Sequence, residues 1–301
     1  MARDSAFHSR VRFAALISLM PTIPKRVADR LTVGLRKYQK IFASAHDRDV
    51  NESDTVVIIA DFLSEVLGFD KYTEITTEFA IRGTYCDLAI KIGGTVQYLV
   101  EAKAIGVSLK EAHLRQAISY ASNHGVEWVI LTNGINWQVH RLRFEQPIST
   151  DLVFALNIRE AGPRDGDVLE RLFLLTKEGI GKSAIEEFHE RKDACSPFLV
   201  GAVLQSDQVL GVLRRELKRV SPKARIEVDE LRSVLKEEVL KRDVVEGDEA
   251  GSAKSRLKRA ASRTLRKGSR ASKLEDSGEP KAVEGDGGEG GGPQKATSDF
   301  A

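Results

Sequence analysis

Apolar residues recur every three or four positions from 25 to 46, with Val27, Leu31, Leu35, Tyr38 and Ile41 in one stripe and Arg26, Arg30, Arg36, Lys37 and Lys40 around it. That spacing predicts an amphipathic helix. A second, more apolar helix is expected from 53 to 67, closed by Gly68, with Glu52 in its first turn, where an acid gains helix-dipole energy. The period then falls to two. Strands are expected at 72–81, 85–92 and 96–103, the last two joined at Gly93-Gly94 as a hairpin. Ser108, with Glu111 three residues on, reads as a capping box opening a helix that runs to Gly125. Two further strands follow, 128–132 and 137–144, around the turn Asn133-Gly134. Helix, three strands, helix, two strands is an α/β order: a meander, then a helical crossover that permits a parallel pairing, giving a central mixed sheet flanked by helices.

Past Pro163 helix formers dominate, in segments 168–175, 184–191, 209–217 and 228–240, which read as a helical subdomain. From about 245 apolar residues thin out and a disordered tail is expected. The expected layout is a flexible extension over 1–24, the α/β domain over 25–160, the helical subdomain over 161–244 and the tail over 245–301.

Composition adds little specificity. The chain has 301 residues, 42% hydrophobic and 30% charged, enough for a substantial core. Cys86 and Cys195 stand apart, giving neither zinc spacing nor a disulfide framework, which suits a reducing cytoplasm. The apolar run 13–20 is too short to span a membrane and is followed by Pro21 and Pro24, so it is read as an extension or an early start codon. A formal charge of +2 argues neither for nor against DNA. Nine of the basic residues lie between 254 and 273, a stretch with no acid, and without them the chain is net acidic. That run is either a tether to phosphate backbones or a solubilising tail.

Chemistry concentrates on the strands. Asp87 lies in the run Tyr85-Cys86-Asp87-Leu88-Ala89-Ile90, and the next strand ends in Glu101-Ala102-Lys103. Glu101 and Lys103, two apart, share one strand face, with Asp87 able to lie beside them. Two adjacent carboxylates suit a hard divalent cation, Mg²⁺ or Mn²⁺, and the Ala102 carbonyl is a further candidate ligand. Such an ion would polarise a scissile phosphate, and Lys103 would orient the attacking water or neutralise developing charge. The competing reading is a surface ion pair and a solubilising aspartate. On the following helix His113, Gln116 and Tyr120 share a face, and Glu52 is in phase with Val56, Ile59 and Leu63 and so is a candidate to point inward toward the metal. Glu78 is either a support for Asp87 or a surface acid, and Trp128 and Trp137 read as packing residues.

The segments Asn51-Glu52-Ser53-Asp54, Thr77-Glu78-Phe79, Tyr85 to Ile90, Glu101-Ala102-Lys103, Gln116-Ala117-Ile118-Ser119-Tyr120 and Leu131-Thr132-Asn133-Gly134 together resemble the N-terminal nuclease domain of type I restriction enzyme R subunits, of the PD-(D/E)XK superfamily. The likeness covers about residues 25–155. It implies a restriction-endonuclease-like core, a Mg²⁺-dependent deoxyribonuclease activity, Asp87 and Glu101 as metal ligands, Lys103 as the catalytic lysine, and Gln116 with Tyr120 as the Q-x-x-x-Y motif of the RecB-like branch. Implied partners are DNA, other restriction or defence subunits and a second copy of the chain. Cys86 stands where the superfamily has proline, which leaves the ligand Asp87 in place. R subunits also carry an ATP-driven motor, whereas no G-x-x-x-x-G-K-[ST] loop occurs here: Gly181-Lys182-Ser183 has Thr176 in place of the earlier glycine. The alternatives to an enzyme are a catalytically silent DNA-binding subunit and a protein-interaction subunit on the same fold.

Overall fold

The computed structural model describes residues 22–81, 84–144, 146 and 148–275. Most of the expected N-terminal extension, and the tail beyond 275, lie outside these residues.

Helices α1 (Lys25–Asp47) and α2 (Glu52–Glu65) precede strands β1 (Ile75–Ile81), β2 (Thr84–Ile92) and β3 (Thr95–Ala102). Helix α3 (Glu111–His124) then leads to β4 (Trp128–Thr132), β5 (Asn136–Arg143) and β6 (Ser149–Asn157). The six strands form one sheet in sequence order, antiparallel throughout except that β3 and β4 run parallel. This is the expected meander and crossover, with α3 as the connection that a parallel pair requires.

Strand alternation sorts the core onto two faces. Leu88, Ile90, Tyr98, Val100 and Ile130 pack with α1 and α2, whereas Ala89, Leu99 and Val129 pack with Ala117 and Ala121 of α3. The α1 stripe buries Val27, Leu31, Leu35 and Tyr38 as its spacing predicts, but it continues through Phe42 rather than Ile41, which is half-buried. Phe62 of α2 links the aromatic residues, with ring centroids 5.2 Å from both Tyr38 and Trp137. Both tryptophans are buried, and Trp137 Nε1 donates to the Gly134 carbonyl at 2.8 Å. That turn needs its glycine: φ is +83°, and a Cβ would meet Phe42 at 2.7 Å.

Among α1–α3 and β1–β6, three elements depart from the sequence reading. Strand β1 starts at Ile75 rather than 72, because Asp70 Oδ1 accepts from the backbone N–H groups of Tyr72 and Thr73 and folds 71–74 into a turn. Helix α3 starts at Glu111 rather than Ser108, and the Lys110 N–H donates to His113 Nδ1 at its first turn. Strand β6 was not anticipated. Its burial does not alternate: Val153 and Phe154 are both buried while Leu152 is 48% exposed, the result of a register shift against Val139/His140.

Two compact units divide at Cys195/Ser196. The first therefore includes α4 (Gly166–Leu174), α5 (Lys177–Ile180) and α6 (Ala184–Ala194), part of the region expected as a separate helical subdomain. The second unit holds α7 (Pro197–Leu204), α8 (Asp207–Val220), α9 (Val228–Val234) with a π-helical turn to Val239, α10 (Arg242–Val245) and α11 (Asp248–Glu275). Helix α11 occupies the first half of the region read from composition as a tail.

Phe62→Ala removes the ring that joins α1, α2 and β5. It is expected to cost about 3–5 kcal/mol of stability, read as a lower denaturant midpoint.

Candidate active site

Glu101 lies near the carboxyl end of β3 and Lys103 just beyond it. By alternation they follow Leu99 on the α3 face. Glu101 is 1% exposed, and its Oε1 accepts from Lys103 Nζ at 2.8 Å. Lys103 Nζ also lies 3.4 Å from Glu52 Oε1, at the start of α2. On β2, Asp87 is half-buried and its Oδ2 accepts from the Ala102 N–H at 2.8 Å. Four of the expected residues, Asp87, Glu101, Lys103 and Glu52, are thus brought together from three elements.

Their electrostatics follow from burial. The Glu101 carboxyl is pushed up to about 7, chiefly by desolvation, against the Lys103 hydrogen bond and with the charges of Asp87 and Glu52 adding to it. Asp87 is raised as well, by desolvation that outweighs the Ala102 N–H and Lys103. For Lys103 burial acts downward, but the Glu101 hydrogen bond and the three surrounding acids more than offset it, and the ammonium is held protonated. Glu101 Oε2 is buried with no hydrogen-bond partner among the described residues. An orphaned carboxylate oxygen in an acid-rich cluster has the donor chemistry for a divalent cation, so the residues fit such an ion.

Polar anchors fix the chain around the site. The Lys103 N–H donates to Thr132 O at 2.8 Å, extending the parallel pairing by one residue. The Ile105 N–H donates to Thr55 Oγ1 at 3.2 Å, tying the segment after Lys103 to α2. Asn133, 3% exposed, donates to the carbonyls of Ile105 and Val107 and accepts from the N–H groups of Ile135 and Asn136. The sequence pattern gives Thr55 no role and presents Asn133 as a turn residue within Leu131-Thr132-Asn133-Gly134, one of the segments that carry the resemblance. A cleft of ≈ 500 Å³ opens beside this loop, lined in part by Ile105, Gly106, Val107, Ser108 and Asn136.

Gln116 and Tyr120 meet each other on α3. Gln116 Nε2 donates to the Tyr120 hydroxyl at 3.0 Å, so they form a pair of their own on α3, and Tyr120 packs against the α3-side core. Glu78 is exposed with φ at 48°, and the β1–β2 ladder skips the Glu78–Asp87 pair.

A second group, Asp151, His189 and Asp193, also gathers possible metal ligands. Arg143 donates to both acids, at 2.7 and 2.6 Å, and Arg141 lies 3.0 Å from His189 Nδ1. With two guanidinium groups already among them, these residues form an ion-pair network joining β5, β6 and α6. The His189 contact and Arg143 hold Asp151 down to about 2, against burial.

Two outcomes are expected. Asn133→Ala leaves buried backbone groups unpaired and destabilises by roughly 1–3 kcal/mol, measured by chemical unfolding. Because the Asp151 carboxyl is lower in the fold than its ordinary value of 3.8, its contribution is present above about pH 4 and is lost as pH falls toward 2. Asp151→Asn flattens the acid limb of a pH–melting curve across that window.

Searches of curated proteins and of solved structures give no match. Residues 58–151, from inside α2 to the start of β6, match the model of the type I restriction enzyme R protein N terminus. That segment holds β2, β3 and α3 with Asp87, Glu101, Lys103, Gln116 and Tyr120, and its similarity is to the N-terminal region of type I restriction enzyme R proteins.

Proposed function

We propose that this protein is a divalent-metal-dependent DNA endonuclease of the PD-(D/E)XK class, serving restriction or defence in the cytoplasm. The observation that carries the reading is the buried Glu101 carboxylate, one oxygen on Lys103 and the other without a hydrogen-bond partner among the described residues, set beside Asp87.

Asp87 and Glu101 would hold Mg²⁺, with Mn²⁺ as a substitute. When bound, the ion supplies Lewis-acid polarisation of a phosphate and acidifies water. The remaining roles fall to the chain. Burial of Glu101 and anchoring of the loop after Lys103 keep both groups preorganised. Lys103, held protonated, is suited to orient the attacking water and neutralise charge building on the phosphate rather than to abstract a proton. Glu52, 3.4 Å from Nζ, steadies the ammonium from the far side. The exposed Gln116 with its partner Tyr120 offers polar hydrogens to a strand lying along α3.

The test is cleavage of circular and linear, single- and double-stranded DNA with Mg²⁺, Mn²⁺ or EDTA, by wild type, Asp87→Asn and Lys103→Ala. Metal-dependent cutting is expected from wild type, with a loss of at least about 100-fold in each variant. Asp87→Asn retains an oxygen for the Ala102 N–H, so its fold should persist, and thermal unfolding of each variant checks this. Mg²⁺ should raise the melting temperature of wild type by ligand linkage and leave that of Glu101→Gln unmoved. Equal cutting by all three proteins would sink the proposal, and intact DNA binding without cutting would make the chain a silent subunit.

A further inference from the structure

Helix α11 runs from Asp248 to Glu275 without interruption. From 250 to 274 it has no Asp or Glu, and nine Lys or Arg fall between 254 and 273. A helix advances about 100° per residue, which sorts these positions unevenly. Arg259, Arg263, Arg266, Lys267, Arg270 and Lys273 fall in one arc of about 120°. The neighbouring arc holds positions 250, 253, 257, 260, 261, 264, 268 and 271, mostly alanine, of which Ala250 and Ala253 are buried within the second unit.

The row carries like charges three and four apart with no acid between them. On an isolated helix such pairs repel, and a bound polyanion would relieve that repulsion. An anionic membrane is poorly matched: between 248 and 275 the only apolar residues larger than alanine are Leu257, Leu265 and Leu274, with no aromatic residue among them. Interfacial helices need a larger apolar face to bury in lipid. A duplex asks for cations alone, presenting about one charge per 1.7 Å of axis, and the row from 259 to 273 extends about 21 Å at 1.5 Å per residue.

We infer that α11 is a nucleic-acid-binding helix whose basic row tracks the phosphates of duplex DNA without reading sequence. The choice of DNA as the polyanion rests on the nuclease reading above. The helix would hold the substrate near the protein while cleavage is carried out in the first unit.

The experiment uses the full chain in EDTA, which stops cleavage, and follows binding to a 30-base-pair duplex across a salt series. A variant with Arg259, Arg263, Arg266 and Arg270 all changed to Gln is compared with one in which the four become Lys. Glutamine and lysine both support helix, and circular dichroism with thermal unfolding verifies that each protein is folded. Each phosphate that a side chain neutralises adds about 0.9 to the slope of log affinity against log salt, so removing four cations should make that slope shallower by about 3–4 in the Gln variant. The Lys variant should keep the wild-type slope. Equal slopes in wild type and the Gln variant would overturn the inference, as would Arg-dependent binding to phosphatidylserine vesicles with none to DNA. Wild-type cleavage in Mg²⁺ is scored alongside. Cutting with equal slopes removes the helix inference alone, and a slope difference without cutting removes the nuclease reading alone.

Discussion

The buried contact between Glu101 and Lys103 is the constraint around which the first unit is organised. Taking a carboxylate and an ammonium out of water costs several kcal/mol per ion, and here the pairing is incomplete, because Glu101 Oε2 has no partner among the described residues. Such a group persists only where the surroundings over-determine it. Strand β3 meets that need: it is central in the sheet, antiparallel to β2 on one side and parallel to β4 on the other, with cores against both faces. The aromatic packing of Tyr38, Phe62 and Trp137 and the α3 crossover supply stability that the site itself does not.

Much of this was legible in the sequence, for identifiable reasons. The period-two run around Asp87 and the short step from Glu101 to Lys103 fix which positions share a strand face, and Gly93-Gly94 fixes the hairpin, so the juxtaposition of the three residues follows from local rules. Phase errors arose where local rules compete. The α1 stripe could continue through Ile41 or Phe42, and the aromatic cluster selects Phe42. Strand β6 was hidden because a register shift buries two successive residues, Val153 and Phe154, and destroys the alternation that identifies a strand. The helix α11 was read as a tail because composition reports a lack of apolar residues and says nothing of helical phase.

Other features were illegible because they are long-range. Thr55 and Asn133 anchor the loop after Lys103 through hydrogen bonds spanning 50 and 28 residues, and nothing in their own neighbourhoods specifies those partners. The contact from Glu52 to Lys103 spans 51 residues, and helical phase alone gave only its direction. The Asp151, His189 and Arg143 network is equally distributed over β5, β6 and α6.

Several departures from regular structure lie around Asp87 and Glu101. The ladder skips the pair opposite Asp87, Glu78 takes a left-handed conformation that non-glycine residues seldom adopt, and two strands away from Glu78 a carboxylate oxygen is buried alone. A sheet selected for stability alone would pair Glu78 with Asp87 and put a hydrophobic residue at 101, since replacing a buried ion pair by packed apolar groups is often neutral or favourable. Conflict between local rules and the fold at β1, β2 and the end of β3 is what a requirement other than folding would leave behind. The same end of β3 opens at the parallel β3/β4 pair, the position where an α/β sheet leaves room for a ligand beyond its strand ends.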